Sequence, residues 1–189
     1  AAGLDPNEPP QTWDELIYWC QRLTDPGKQV PGAVVKRGQC GIVLLPYTWT
    51  WLPWIQTAGG SPLMQTRTSP TTGIDHGFFP EQEAFLTPEG EDLSTVKPTW
   101  RANFASPEGL AAAELFHKLR WMPWIKDPDT GEPISLTPED IEQGKVTVDD
   151  RPIDFTEEEV IRGVARAETG QRYNGKWELL GRGEVAMIT

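Results

Sequence analysis

The sequence has few cysteines, few histidines and no cluster of basic residues. Cys20 and Cys40 are its only cysteines, too few for a disulfide scaffold. Two alternatives stay open for them: a single disulfide if the protein is exported, or a small buried thiol at Cys20. The net charge is −11 and Lys and Arg are scattered, which excludes the usual electrostatic basis of nucleic-acid binding and of binding to anionic membranes.

Long apolar runs are also missing, since no stretch approaches the roughly 20 apolar residues of a membrane helix. The first residue is Ala1 rather than Met, and no signal peptide follows it. Both ends of the chain are those expected of a segment cut from a longer protein. The length of 189 residues favours a single domain over 1–189.

Signatures of catalysis and of metal binding are absent from the sequence. The histidines His76 and His117 occur in none of the spacings that bind zinc. The stretch from Asp127 to Gly131 resembles a calcium loop, but its glycine and the later Glu139 are each displaced by one position, so we interpret it as a turn. We therefore predict a binding protein and not an enzyme, with no catalytic residue, no metal and no cofactor.

Capping signals and apolar spacing predict the regular elements. Thr12 and Glu15 form a capping box before a helix that ends near Asp25. An apolar run at 42–45 predicts a strand. A second helix is expected to begin near Thr50 or Trp51, with Pro53 in its first turn, and to stop at two glycines, 59–60.

The rest of the chain is predicted with fewer regular elements. Ser106 should cap a helix whose buried stripe includes Leu110 and Leu115. Residues 61–100 are predicted as loops with one or two short strands, and 123–153 as loops with a short helix after Thr137. Further helices are expected after Thr156 and over 177–180, and a strand at 185–188.

The aromatic cluster is the most informative feature of the sequence. The stretch PYTWTWLPWIQTAGG begins at Pro46, and nine Trp are many for a chain of this length. In an extended chain Tyr47, Trp49 and Trp51 would turn their rings to one side and the hydroxyl of Thr50 to the other. Aromatic rings beside a few polar groups are typical of ligand sites, and aromatic faces stack well on sugar rings or hold a cation. We therefore predict that Tyr47, Trp49, Thr50 and Trp51 bind a ligand.

Four segments, in order along the chain, resemble motifs of the extracellular solute-binding proteins of ABC importers, the sugar-binding type. Each motif is short, and the specificity lies in the ordered set. The segments are Pro9–Leu16, similar to PP-x-TW-[DE]-E-[LI]; Trp51–Gly60, similar to an aromatic helix ending in Gly-Gly; Phe104–Leu119, similar to the S-P-E-G helix; and Leu180–Met187, similar to F-x-x-G-K-x-A-M.

The resemblance implies an α/β fold of the type II periplasmic-binding-protein kind, helix-rich with a small mixed sheet. This chain would be the second, C-terminal lobe of a protein whose two lobes close on a ligand about a hinge. It implies a carbohydrate or oligosaccharide as ligand, with Trp49 in the role of the sugar-stacking aromatic. The partners would be the missing first lobe and the membrane permease of the importer. The protein would act outside the cytoplasmic membrane, in the periplasm, in the extracellular space or on a lipid anchor.

The chain departs from the family pattern in several places. Leu180 stands where the family has an aromatic residue, and Glu184 where it has Lys; residues 61–100 and 123–175 are longer than typical. Two other functions stay open: a carbohydrate-active enzyme or its accessory binding module, and a protein-interaction domain that docks a partner on its tryptophans.

Overall fold

The computed structural model describes residues 3–5, 7–25, 39–44, 48–80, 82–167 and 185–188, with backbone alone at 48–50, 166–167 and 185–188. It has the predicted α/β class, with four α-helices and small sheets among these residues. The chain divides into two compact units. The first unit comprises 1–46 and 115–189, and the second unit comprises 47–114.

Helix α1 of the first unit, Trp13–Leu23, forms as its sequence predicts. The Thr12 hydroxyl accepts a hydrogen bond from the Glu15 N–H at 3.1 Å, and the Glu15 carboxylate accepts one from the Thr12 N–H at 3.2 Å. Two orphan N–H groups of the first turn are thereby satisfied. Ile17 and Cys20 are buried on the inner side of the helix.

The first unit contains a three-stranded parallel sheet with its first strand in the middle. Strand β1, Cys40–Leu44, pairs with β10, Ala165–Ala167, on one side and with β11, Val185–Ile188, on the other. Ile42 stands opposite Ala165 and Met187 in these pairs. The strands predicted at 42–45 and 185–188 are thus confirmed over their described residues.

The prediction of loops at 123–153 is wrong, because this region is rich in strands. Strands β5, Pro123–Lys126, β6, Pro133–Ser135, and β9, Ile161–Arg162, form an antiparallel sheet in the order β6-β5-β9. Strands β7, Lys145–Val148, and β8, Arg151–Asp154, form a hairpin. Pro123, Pro133 and Pro152 lie within these strands. Apolar residues of the region form a core: Ile125, Leu136, Val146 and Ile153.

Two capping signals in the same region lead to different elements. Thr137 caps helix α4, Pro138–Gln143, as predicted. Thr156 and Glu159 also form a capping box, but the helix expected there is a single 3₁₀ turn, Glu157–Glu159. The β-branched residues Val160 and Ile161 follow at once, and Ile161 pairs with Trp124 in the sheet. Strand pairing therefore overrides the local capping signal.

The second unit contains one whole helix, the first part of another and one antiparallel sheet. Helix α2 is Thr48–Thr57, and helix α3, Pro107–Trp121, begins in the second unit and ends in the first. Strands β2, Leu63–Thr68, β3, Asp75–Phe78, and β4, Thr99–Ala102, pair in the order β3-β2-β4. The region 61–100 thus has three strands where we predicted one or two.

Two predictions for these helices are wrong: the residue at which α2 begins, and the burial of Leu110 in α3. Helix α2 begins two residues before the expected position, so Pro53 lies in its second turn and removes one helical N–H donor. Leu110 is 59% exposed, whereas Leu115 and Leu119 are buried. Ala112, which is fully buried, takes the position on the inner face of α3 that we assigned to Leu110.

The helix predicted over 177–180 lies outside the described residues. The turn predicted at 127–131 is described and confirmed, since the Gly131 N–H donates to the Asp127 carbonyl at 2.8 Å. Cys20 is a buried thiol, which is the second of the two alternatives.

Candidate functional site

The predicted site residues fall at the N-terminal end of helix α2. Tyr47 lies outside the described residues, and Trp49 and Thr50 are described by their backbone alone. The backbone from Thr48 onward is helical, so the extended geometry that would align every second ring does not apply at 49 and 51. Positions two apart on a helix do not face the same side. The shared aromatic face expected of an extended chain is therefore replaced by a different arrangement around Trp51.

Trp51 stacks on Phe104, a residue that the sequence analysis did not assign to the site. The two ring centroids are 5.7 Å apart and the planes differ by 17°. Aromatic pairs at such distances in offset stacking add stability beyond the area they bury. One face of the Trp51 indole is thus turned to a protein side chain, which limits the area that a ligand could stack on.

The backbone before helix α3 holds Phe104 in place. The neighbouring Asn103 donates from its main-chain N–H to the Pro62 carbonyl at 2.8 Å, and from its side-chain amide to the Ser61 carbonyl at 3.1 Å. Two residues after Phe104, the Ser106 hydroxyl accepts from the Gly109 N–H at 3.1 Å and caps α3. Phe104 is therefore fixed on both sides by hydrogen bonds of its neighbours.

Glycines allow the end of α2 and the start of α3 to approach closely. Gly59 has φ +85° and ends α2 in a Schellman motif, in which the Gly60 N–H donates to the Ile55 carbonyl at 3.0 Å and the Gly59 N–H to the Gln56 carbonyl at 2.9 Å. A Cβ on Gly60 would lie 2.6 Å from the Glu108 Cβ. The predicted Gly-Gly stop is thus confirmed, and its second glycine has a packing role.

The indole N–H of Trp51 has an unusual environment. Its Nε1 is shielded from solvent, and none of the described residues accepts a hydrogen bond from it. The Thr66 hydroxyl on strand β2 is in the same condition. A buried polar group without a partner costs about 1–3 kcal/mol, and such groups in native proteins call for an explanation. Both of these atoms belong to the second unit.

The other polar groups of the second unit that could suggest chemistry have structural partners. The Ser69 hydroxyl donates to Glu91 at 2.5 Å and the Thr71 hydroxyl donates to Glu91 at 2.6 Å, and these two bonds hold the pKa of Glu91 below its usual range. The Asp75 carboxylate accepts from the Thr68 hydroxyl at 2.7 Å, beside His76. These hydrogen bonds hold the loops that follow strands β2 and β3 in place.

The buried side chain of Arg67 also fixes a loop of the second unit. The Arg67 guanidinium donates to the carbonyls of Leu93 and Ser94, each at 2.9 Å, and to that of Val96. Its carbon lies 4.0 Å from the centroid of the Phe85 ring. Arg67 thus closes the loop that leads to strand β4, and its donors are committed to protein acceptors.

Within the described ranges, no three His, Cys, Asp or Glu side chains are grouped so that they could hold a metal ion. His117 is exposed on helix α3. Among the helices that can be described, none has the length and apolar character needed to span a bilayer.

The structure brings together the side chains of Trp51, which was predicted for the site, and Phe104, which was not. Phe104 opens the segment that resembles the S-P-E-G helix, but such a motif does not show which aromatic residue stacks on it. The chain was also compared with family models, with curated proteins and with solved structures, and none of the three comparisons finds a match.

Proposed function

We propose that this chain is the second lobe of an extracellular solute-binding protein of an ABC importer, and that the solute is a carbohydrate or oligosaccharide. In this proposal the fold is a type II periplasmic-binding-protein-like lobe, and a first lobe of the same protein completes the cleft. The loaded protein delivers the sugar to a membrane permease. The lobe binds and releases its ligand without catalysis.

The observation that carries the proposal is the stack of Trp51 on Phe104. Two of the four segments that resemble the family, the aromatic helix ending in Gly-Gly and the S-P-E-G helix, meet at this stack. The end of the first segment, at Gly60, also lies close to Glu108 near the start of the second. Residues 53 positions apart in the sequence are thus neighbours in one compact unit, as expected if the ordered set belongs to one binding lobe.

The pairing of strands β1 and β11 gives a second, independent support. Strand β11 contains the Val185–Met187 part of the closing motif, and it runs parallel to β1. The aromatic segment follows the carboxyl end of β1 along the chain. Strand β1, which precedes the aromatic segment, and strand β11 of the closing motif are thus neighbours in one sheet, as expected if both segments belong to one lobe.

The experiment is a thermal-shift screen of the full-length protein that contains this chain, with mono- and oligosaccharides, polyols and polyamines. A solute present at 100 times its dissociation constant adds about 2.7 kcal/mol of stability, which raises the melting temperature by several degrees. We expect a sugar among the stabilising solutes. The 189-residue chain alone should show a smaller shift, because it supplies one wall of the cleft.

Variants distinguish this proposal from the two alternatives. Trp49→Ala should weaken the sugar shift, whereas Trp121→Ala, at an exposed position of the first unit, should leave it unchanged. Hydrolysis of a chromogenic glycoside would instead indicate a carbohydrate-active enzyme. Self-association that is lost in Trp49→Ala, with no response to any solute, would indicate a protein-interaction domain.

A further inference from the structure

Met64 lies beside a cation on the outer face of the antiparallel sheet in the second unit. Gln65 and Arg67 are buried on one face of strand β2, and Met64 is partly exposed on the other. Arg101, exposed on strand β4, stands directly opposite Met64 in the register. Its Nη2 donates a hydrogen bond to the Met64 Sδ at 3.3 Å. A charged donor therefore holds the sulfur on a face that solvent reaches.

A glycine on the other neighbouring strand makes room for the same sulfur. Gly77 of strand β3 stands opposite Thr66 of strand β2. A Cβ on Gly77 would lie 2.7 Å from the Met64 Sδ, closer than a real side chain could come. The thioether thus lies against strand β3, while the Arg101 guanidinium reaches it from strand β4. The contact spans all three strands of the sheet.

A second donor on this face has no partner. The Thr66 hydroxyl is shielded from solvent, and none of the described residues forms a hydrogen bond with it. Thr66 comes two residues after Met64 on the same strand, so both side chains are on one face of the sheet. A thioether sulfur is only a weak acceptor. Around Met64 the sheet therefore offers good donors and one weak acceptor.

Oxidation of the thioether would replace this weak acceptor by a strong one. The sulfur lone pair attacks one oxygen of hydrogen peroxide, so an S–O bond forms and the O–O bond breaks. The proton of the transferred oxygen passes to the departing hydroxide, which leaves as water. The sulfur loses two electrons, the peroxide gains them, and the product is methionine sulfoxide. A thiol-dependent sulfoxide reductase reverses the step, removing the oxygen as water while two thiols become a disulfide.

We propose that Met64 is a site of reversible oxidation by peroxide, and that its sulfoxide oxygen accepts a hydrogen bond from Arg101, so that oxidation tightens the sheet. A sulfoxide in an apolar core destabilises a protein, because its polar oxygen is buried without a partner. At Met64 a guanidinium is already within hydrogen-bond distance, and charge-assisted hydrogen bonds are among the strongest. The proposal does not depend on whether the chain binds a solute.

The first test is the extent of oxidation at Met64 in the full-length protein. The folded protein is treated with hydrogen peroxide and digested, and the sulfoxide fraction of the peptide that contains Met64 is measured by mass spectrometry. We expect the sulfoxide to form, and methionine sulfoxide reductase with a thiol to remove it from the folded protein. A thioether that stays intact at Met64, under conditions that oxidise free methionine, would overturn the proposal.

The second test measures what the sulfoxide does to the sheet. On oxidation, hydrogen–deuterium exchange at 63–68 and 99–102 should slow about threefold to tenfold, the range expected for one added hydrogen bond. Met64→Leu, treated with peroxide in the same way, corrects for oxidation at every other residue. Arg101→Ala should abolish the slowing. Lys97→Ala, which removes an exposed cation of the same unit, should preserve it.

Two outcomes of the exchange experiment would contradict the proposal. Equal slowing in Arg101→Ala and in the original protein would show that Arg101 is not the donor to the sulfoxide. Faster exchange after oxidation of the original protein would show that the sulfoxide disrupts the sheet, as it does in an apolar core. Arg101 is exposed, so its replacement by alanine leaves the buried face of the sheet unchanged.

Discussion

Trp124 and Arg67 are large buried side chains, one in each unit, and they are accommodated by opposite means. Trp124 is completely buried among apolar neighbours of the first unit and needs one hydrogen bond, to the Gly163 carbonyl. Arg67 is 7% exposed and is held by carbonyl groups of the second unit. The first unit is therefore stabilised mainly by apolar burial, and the second depends far more on directed hydrogen bonds.

The same contrast extends to the rest of the buried residues. Most of the buried apolar side chains described belong to the first unit, around strands β1 and β5. In the second unit the buried set includes several polar residues: Ser61, Gln65, Arg67, Ser69 and Thr87. In the part of the chain that the structure describes, two buried side-chain atoms lack a hydrogen-bond partner, Trp51 Nε1 and Thr66 Oγ1, and both lie in the second unit.

The difference indicates which unit would gain stability if a ligand bound. Apolar packing has no preferred direction. Among the described residues of the first unit, no buried side-chain nitrogen or oxygen lacks a hydrogen-bond partner. A unit held by hydrogen bonds can gain stability when a ligand completes its polar network. We therefore propose that, if the chain binds a solute, the second unit binds it.

The largest effect is expected for Trp124→Ala. This change removes a fully buried indole and leaves a cavity beside strand β5, so the free energy of unfolding should fall by about 3–5 kcal/mol. Urea denaturation followed by circular dichroism measures this. A loss below about 1 kcal/mol would contradict the view that apolar packing holds the first unit.

Arg67→Lys tests the second unit in the same way. Lys keeps the positive charge but lacks the planar set of donors that reaches the carbonyls of Leu93, Ser94 and Val96. Leaving buried carbonyls without a donor should reduce the free energy of unfolding by about 2 kcal/mol. The same denaturation assay applies, and a neutral result would show that charge and not hydrogen bonding holds this loop.

A matched pair of threonines sharpens the comparison. The Thr24 hydroxyl of the first unit donates to the Cys20 carbonyl at 2.6 Å and accepts from the Gly41 N–H at 3.0 Å. Thr24→Val leaves both partners unsatisfied and should destabilise by about 1–3 kcal/mol. Thr66→Val removes an unpartnered hydroxyl and should be neutral or stabilising by up to about 1 kcal/mol. Equal destabilisation by both changes would contradict the contrast.

The smallest effect is expected from acid, and it is tested at Asp127 of the first unit. The Asp129 N–H, together with that of Thr130 and with Arg151, lowers the pKa of Asp127. A carboxyl with a lowered folded pKa stabilises fully above its unfolded pKa of about 3.9, and this stabilisation disappears as the pH falls through the folded value. Unfolding measured from pH 7 to pH 3 should therefore show a loss below about pH 4 that Asp127→Asn partly flattens. A profile unchanged in that variant would contradict this assignment.

Local signals in the sequence predicted those elements that depend on neighbours in the chain. The capping box at Thr12, the cap at Ser106 and the glycine stop at 59–60 are all confirmed. Each works through side-chain and backbone groups within a few residues, so the sequence pattern is sufficient. The turn at 127–131 was predictable for the same reason.

Elements that depend on distant partners could not be predicted in this way. The strands in 123–154 are short, and their prolines suggest loops until the pairing with each other is known. The capping box at Thr156 predicted a helix because the pairing of Ile161 with Trp124 lies outside any local window. At the site, the stack of Trp51 on Phe104 joins residues 53 positions apart.

The most direct test of the central claim, that the second unit binds the solute, is hydrogen–deuterium exchange of the full-length protein with and without the sugar found in the screen. We predict slower exchange at 48–51 and 104–109, around the Trp51–Phe104 stack, and unchanged exchange in the β7–β8 hairpin at 145–154. Protection confined to that hairpin, or no protection anywhere in 48–114 at saturating sugar, would contradict the claim.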